Sequence, residues 1–226
     1  MLEWWHILLI VIGSVLLLFL LSIVFYKQFF KRFWDIVLSL FALIVLSPLL
    51  IIISIIARIK MGKDILFKQK RIGKNNKEFK LLKYRTMTND RDENGVFLPD
   101  DQRVTKFGNF LRKTSIDELP SLINILKGDM SIIGPRPLPV RYLPRYNEEQ
   151  RHRHDVRPGL TGYAQCHGRN SVSWKEKFEM DVWYTKHISL FGDIGILFKT
   201  VFSVFKKEGI NSETSATMEE FMGNDE

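Results

Sequence analysis

The sequence predicts an α/β protein that is mostly helical: a membrane anchor, then one compact domain holding a short β-hairpin and amphipathic interfacial helices. Three observations carry this. Residues 7–26 and 36–57 are two uncharged, strongly apolar runs. From about Lys60 the composition turns to mixed charged and aromatic residues punctuated by glycines. Between Ile65 and Tyr84, two short apolar and aromatic segments flank a Gly73-Lys-Asn-Asn76 turn, a hairpin signature. The chain's 226 residues leave room for the anchor and one folded domain.

The elements follow in order. Residues 7–26 match the ~20 residues needed to cross a hydrocarbon core, so residues 1–30 read as a transmembrane helix. Lys27, Lys31 and Arg32 follow the run, so the positive-inside bias places its C-terminal end in the cytoplasm. The second run, within residues 31–60, has basic residues on both sides: Lys31 and Arg32 before it, Arg58, Lys60 and Lys63 after. Both ends therefore favour the same face. Pro48 lacks an N–H and crowds the carbonyl four residues back. Ser47-Pro48 thus reads as the break of a re-entrant helix–break–helix, with the Ser47 hydroxyl relieving the backbone group left unpaired. A Pro-kinked spanning helix is the competing reading. Asp35, beside Lys31 and Arg32, is expected to be paired, because a bare charge at that depth is costly.

Residues 61–211 form the expected compact domain. Helices are predicted over Thr105–Lys113, Pro120–Lys127 ending at Gly128, Asn147–His154 and Trp174–His187. Phe191–Lys207 gathers Ile194, Leu197, Phe198, Val201, Phe202 and Phe205 on one face, fitting either a membrane-surface helix or a core-facing one. The acidic tail, residues 212–226, is expected to be mobile.

A net charge of +8 favours anions, and the apolar runs direct that preference to lipid headgroups and phosphorylated substrates instead of nucleic acid. A lone cysteine, Cys166, excludes an intramolecular disulfide and any cysteine-based metal cluster, and reads as an inert thiol. His152 and His154 read as structural neighbours of the Arg157-Pro-Gly turn.

The chemistry concentrates at Asp117-Glu118. Ser115-Ile-Asp-Glu118 also fits a capping box, although a cap at Ser115 would bury Pro120 in the second turn. Spacing alone leaves the cap and the active-site readings equal. Arg112, Arg136, Arg157 and Arg169 shift the balance, because arginines presented by Pro- and Gly-rich loops suit bidentate phosphate contacts. With the carboxylate pair they suggest a pyrophosphate site that also holds a divalent cation.

Lys31-Arg32…Asp35…Ser47-Pro48, Phe67-Lys-Gln-Lys-Arg71-Ile-Gly73, Lys83-Tyr-Arg-Thr-Met87, Leu111-Arg-Lys-Thr-Ser-Ile-Asp-Glu-Leu-Pro120, Gly128-Asp-Met-Ser131, Gly134-Pro-Arg-Pro137, Arg157-Pro-Gly-Leu-Thr-Gly162 and Gly168-Arg-Asn170 resemble the bacterial sugar transferases. Within them the chain resembles the small monotopic phosphoglycosyl transferases. The resemblance implies transfer of a sugar phosphate from a UDP-sugar to undecaprenyl phosphate, releasing UMP, at the cytoplasmic face of the bacterial inner membrane. It implies Asp117 as nucleophile through an aspartyl-phosphosugar intermediate, Glu118 as a Mg²⁺ ligand, and Lys83, Arg112 and Arg136 on phosphates. Arg169 and Asp193 match positions near the nucleotide or sugar, and Asp181 is either structural or substrate-facing. A homo-oligomer is compatible with the sequence. Residues 1–26 add an apolar segment that the shortest family members lack, and Gln165-Cys-His167 departs from the family pattern in a way that bears on sugar choice.

The competing enzyme is a metal-dependent glycosyltransferase releasing UDP, suggested by Asp90-Arg-Asp92, although this D-x-D lies in a polar turn that favours Asp for turn chemistry alone.

Overall fold

The computed structural model describes residues 3–167, 172–206 and 220–224. The first element, α1 (Trp4–Val24), is apolar all round and exposed along nearly its whole length. A five-residue π-helical turn, Tyr26–Phe30, joins it to α2 (Lys31–Met61). Both segments are long and apolar enough to cross a membrane, and the anchor is built for membrane association.

One expectation about α2 is corrected. Its helical hydrogen bonding continues through Pro48 as a single 31-residue element and does not divide into two half-helices. The physical reason lies next door: Ser47 Oγ donates to the Ile44 carbonyl at 2.8 Å, the acceptor that Pro48 cannot serve. Asp35, Ser39, Ile53 and Ala57 are buried along α2, with Ala42, Leu43 and Leu50 partly buried between them. This is one helical stripe laid on the compact domain, while the opposite face stays apolar and exposed.

Asp35 is partnered as expected, but not by its basic neighbours. Its Oδ1 accepts from Ser131 Oγ at 3.0 Å and from the Ile132 N–H at 2.8 Å. Arg32 instead donates to the Ile125 and Leu126 carbonyls at 2.7 and 3.2 Å, and Lys31 pairs with Asp193 at 2.5 Å. The mouth of α2 is thus fastened to the domain through three polar residues, a stronger tether than neighbour pairing would make.

The domain opens with the expected hairpin: β1 (Leu66–Ile72) antiparallel to β2 (Glu78–Tyr84), with Gln69 opposite Leu81. Asn75 and Asn76 turn it at φ of 54° and 61°, the left-handed region that asparagine tolerates. A short turn of helix, α3 (Asp100–Arg103), precedes α4 (Lys106–Lys113), whose N-terminus is capped by Thr105 Oγ1 accepting from Gly108 N at 2.9 Å. A 3₁₀ turn, Ile116–Glu118, leads through Pro120 into α5 (Ser121–Lys127), which ends at Gly128 with φ of 94°.

Two strands escaped the sequence reading. β3 (Ser131–Ile133) pairs in parallel with β4 (Gly159–Thr161). Between them lie a 3₁₀ segment, Val140–Arg145, and α6 (Glu148–Arg151), opened by an Asn147–Gln150 capping box. After β4 come α7 (Tyr163–His167), α8 (Trp174–Lys186) with a Ser173–Glu176 capping box, and α9 (Leu190–Lys206). On α9, Ile196 is buried, whereas Phe191, Phe198 and Phe202 are exposed. This favours the membrane-surface reading of that helix.

The expectation of a mobile tail is also corrected over residues 220–224. Phe221 is 3% exposed and sits among Tyr142, Tyr146, Trp174 and Phe178. Arg145 donates to its carbonyl, and Glu220 pairs with Arg141 and Arg145. An aromatic plug ringed by ion pairs overcomes the acidic composition that suggested mobility. The remainder of the tail lies outside the described residues.

Candidate active site

The hairpin, the 3₁₀ turn at Asp117 and the loop after β3 wall a cavity of about 920 Å³. One face of the hairpin contributes Gln69, Arg71 and Lys83, in keeping with the two-residue repeat of strands. Arg112 comes from α4, the carboxylate pair from the 3₁₀ turn, and Arg136 from the loop after β3. The far wall is more apolar, with Leu160, Ala164, Gln165 and Leu197.

The capping-box reading of Ser115 fails on geometry. Ser115 adopts φ of 55°, makes no side-chain cap, and Glu118 turns to the cavity instead. Glu118 Oε1 accepts from Lys83 Nζ at 2.5 Å and from Arg136 Nη2 at 3.3 Å. Burial alone would raise its pKa, but those two cations hold it down at about 2. Asp117 lives in the opposite condition. It is 9% exposed, and among the described residues no group donates a hydrogen bond to its carboxylate. Burial, reinforced by the Glu118 charge, pushes its pKa up to about 6 against the pull of Lys83, Arg112 and Arg136. Adjacent carboxylates driven apart in this way are suited to different tasks.

The cavity thus unites Lys83, Arg112, Asp117, Glu118 and Arg136 from the sequence-derived set. Asp193 is placed elsewhere: it is buried, bonded to Lys31 and to the hydroxyls of Tyr26 and Tyr184 at 2.8 Å each, at the seam between anchor and domain. Arg157 also turns away, donating to the Gly128 carbonyl at 2.8 Å. Arg169 lies outside the described residues. Asp181 forms a buried ion pair with Arg153 at 2.6 Å, and both side chains reach the cavity wall. Arg153 also donates to the Arg136 carbonyl at 2.8 Å, so this pair props the loop that carries Arg136. Asp92 is consumed by its own turn, accepting from the Asn94 and Val96 N–H groups, and Asp90 accepts from Thr88. The D-x-D is therefore turn chemistry.

The sequence reading gives Gln69 and Arg71 no role, quoting them only within the Phe67–Gly73 motif, because the hairpin assignment explains their segment without one. The alternation of β1 was the available signal, since Phe67, Gln69 and Arg71 share one face.

No group of three or more His, Cys, Asp or Glu able to hold a metal occurs among the described residues. Mg²⁺ does not require one, because it is commonly held by one or two carboxylates, water and substrate phosphates. Glu118 fits that demand: it is ionised, and its Oε2 has no hydrogen-bond donor among the described residues.

A cavity lined by a carboxylate pair and convergent cations, on an apolar anchor, defines a membrane-associated enzyme for anionic substrates. The chain belongs to the bacterial sugar transferase family, whose sequence profile matches residues 26–207. It is 49% identical over 193 residues to the uncharacterized sugar transferase EpsL of Bacillus subtilis, covering 85% of this chain and 96% of that protein. It is 38% identical to the exopolysaccharide production protein ExoY of Rhizobium meliloti, covering 79% and 87%. The UDP-glucose:undecaprenyl-phosphate glucose-1-phosphate transferase of Escherichia coli is 40% identical over 189 residues, which span 79% of this chain but 41% of that longer protein.

Proposed function

We propose that this protein is a phosphoglycosyl transferase that moves a sugar 1-phosphate from a UDP-sugar to undecaprenyl phosphate, yielding undecaprenyl-diphosphate-sugar and UMP. One observation carries the reading: two adjacent carboxylates share one cavity in opposite electrostatic states, Glu118 clamped by two cations and Asp117 without a hydrogen-bond donor among the described residues. The reactions named for the longer relatives support the substrate classes.

In this reading an Asp117 oxygen attacks the sugar-proximal phosphorus. The bond from that phosphorus to the bridging oxygen breaks, and UMP leaves with the electron pair. The aspartyl-phosphosugar then receives an oxygen of the lipid phosphate at the same phosphorus, and the Asp117 carboxylate is the leaving group. A carboxylate poorly solvated by protein or water is a better nucleophile than a hydrated one, and a pKa of about 6 keeps it mostly ionised at neutral pH. Lys83, Arg112 and Arg136 offset the repulsion between an anionic nucleophile and a diphosphate. Mg²⁺, held by Glu118 with substrate phosphates, would supply further charge neutralisation when bound.

The anchor completes the proposal. The stripe of α2 on the domain runs from Asp35 to Ala57, which fits a helix whose two ends share one membrane face better than one whose ends lie on opposite sides. With basic residues at both ends, that face is the cytoplasmic one, at the inner membrane.

The test uses purified protein with Mg²⁺ and a panel of UDP-sugars, without lipid phosphate. The expected result is UMP with an acid-labile phosphosugar adduct on Asp117. Release of UDP, or UMP formation that strictly requires lipid phosphate, would overturn the two-step reading.

A further inference from the structure

Among the cavity-lining cations, Arg71 stands in an unusual state. Its Nη2 donates to Gln69 Oε1 at 2.6 Å, a neutral acceptor, and among the described residues no carboxylate pairs with it. Its Nε is buried, with no hydrogen-bond partner among the described residues. Burial is the largest influence on it and the Arg136 charge the next, with Arg141 adding to them; Tyr142 and Glu118 oppose, and the balance brings its pKa down to about 10. A half-buried guanidinium facing like charges is costly to fold. Lys83, by contrast, is neutralised by Glu118, and Arg153 by Asp181.

Its placement is fixed. The Arg71 backbone bridges to Pro139, and the Ile72 N–H donates to the Leu138 carbonyl at 3.2 Å. Residue 71 is therefore locked beside the Gly134-Pro-Arg-Pro137 loop that carries Arg136. The cations acting on Asp117 are Lys83, Arg112 and Arg136, and those acting on Arg71 are Arg136 and Arg141. Arg136 is common to both sets. Two positive regions thus adjoin within the site, one around the nucleophile and one displaced toward Arg71, with Arg136 between them.

We propose that Arg71, together with Arg136, forms a second phosphate subsite in which the half-buried, cavity-lining Arg71 guanidinium and the Arg136 fork hold a phosphate group other than the one that reacts at Asp117. This rests on the phosphoglycosyl transfer reading for its substrates, which offer two such groups: the nucleotide-proximal phosphate of the donor and the phosphate of the polyprenyl acceptor. Either would supply the anion that the uncompensated guanidinium lacks.

The experiment compares wild type with Arg71→Gln and Arg71→Lys in lipid nanodiscs. One arm measures UMP release from a UDP-sugar without acceptor, a second the discharge of preformed adduct by undecaprenyl phosphate, and a third the affinity for pyrophosphate by calorimetry. Arg71→Gln is expected to weaken pyrophosphate binding and to raise KM in one of the two kinetic arms by about ten- to a hundredfold, the span of a charge-assisted hydrogen bond. The arm affected identifies which phosphate occupies the subsite. Arg71→Lys should recover part of the loss, and the melting temperature without ligand should not fall, because no internal ion pair is broken. Unchanged pyrophosphate affinity with both kinetic arms within twofold of wild type would overturn the subsite, as would a loss that tracks a lowered melting temperature. Failure of wild type to release UMP would instead sink the transfer reading, while the pyrophosphate arm still decides the role of Arg71.

Discussion

Replacing Asp117 by Asn should abolish sugar-phosphate transfer and at the same time stabilise the protein at neutral pH. The Asp117 pKa is raised from 3.8 to about 6. Well below pH 3.8 the carboxyl is protonated in both folded and unfolded chains, so its ionisation costs nothing. As pH rises through 6 the folded protein must carry a charge that the unfolded chain carries more easily, and the associated stability is lost. A shift of roughly 2 pH units at 1.36 kcal/mol each puts that cost at about 3 kcal/mol above pH 7. Asn carries no charge and gives up no hydrogen bond, because no group among the described residues donates to the Asp117 carboxylate. Thermal unfolding in nanodiscs, followed by tryptophan fluorescence, should show Asp117→Asn melting roughly 6–12 °C above wild type at pH 8 and level with it at about pH 3. In wild type, the UMP burst should rise about tenfold between pH 5 and pH 7 as the nucleophile ionises. A variant that melts lower than wild type at pH 8, or by the same margin at both pH values, would refute the account of Asp117 as a carboxylate strained by burial.

Phe221→Ala should remove the aromatic plug from among Tyr142, Tyr146, Trp174 and Phe178 and cost about 3 kcal/mol, read as a lowered melting temperature; an unchanged melt would show that residues 220–224 do not dock in solution. Gly134→Ala should prevent close approach of β3 and β4, because a Cβ there would overlap the Arg157 carbonyl oxygen, and soluble yield in detergent should collapse. In a Cys166→Ser background, single cysteines at Gln28 and Lys63 should both react with a membrane-impermeant maleimide in inverted vesicles and not in intact cells. Labelling of the two from opposite sides would overturn the placement of both ends of α2 on one membrane face.

The parts of this fold legible in the sequence are those fixed by local chemistry. Thr105, Asn147 and Ser173 each cap the helix they precede, and Gly128 ends α5 in the left-handed conformation that glycine adopts freely. The parts not legible depend on chain segments far apart. The β3–β4 pair joins two three-residue strands with no periodicity of their own, and its geometry depends on backbone contacts at Gly134 and Gly159 that only the folded chain creates. Asp35 has Lys31 and Arg32 within helical reach, yet it bonds to Ser131 and Ile132, because the domain offers desolvated donors that flexible neighbours do not.

The site divides along the same line. Asp117-Glu118 was visible as a pair, but its ambiguity was resolved only by what surrounds it: Glu118 caps no helix because Lys83 and Arg136 claim its carboxylate, and that capture leaves Asp117 the weakly paired member. Arg136 in turn owes its place to Arg153, whose guanidinium holds the Arg136 carbonyl while Asp181 neutralises it. A buried ion pair about as costly as it is favourable has little value as a stabiliser. Its retention here follows from position, because it fixes the one arginine shared by the nucleophile's region and that of Arg71 without adding net charge to a cavity already rich in cations.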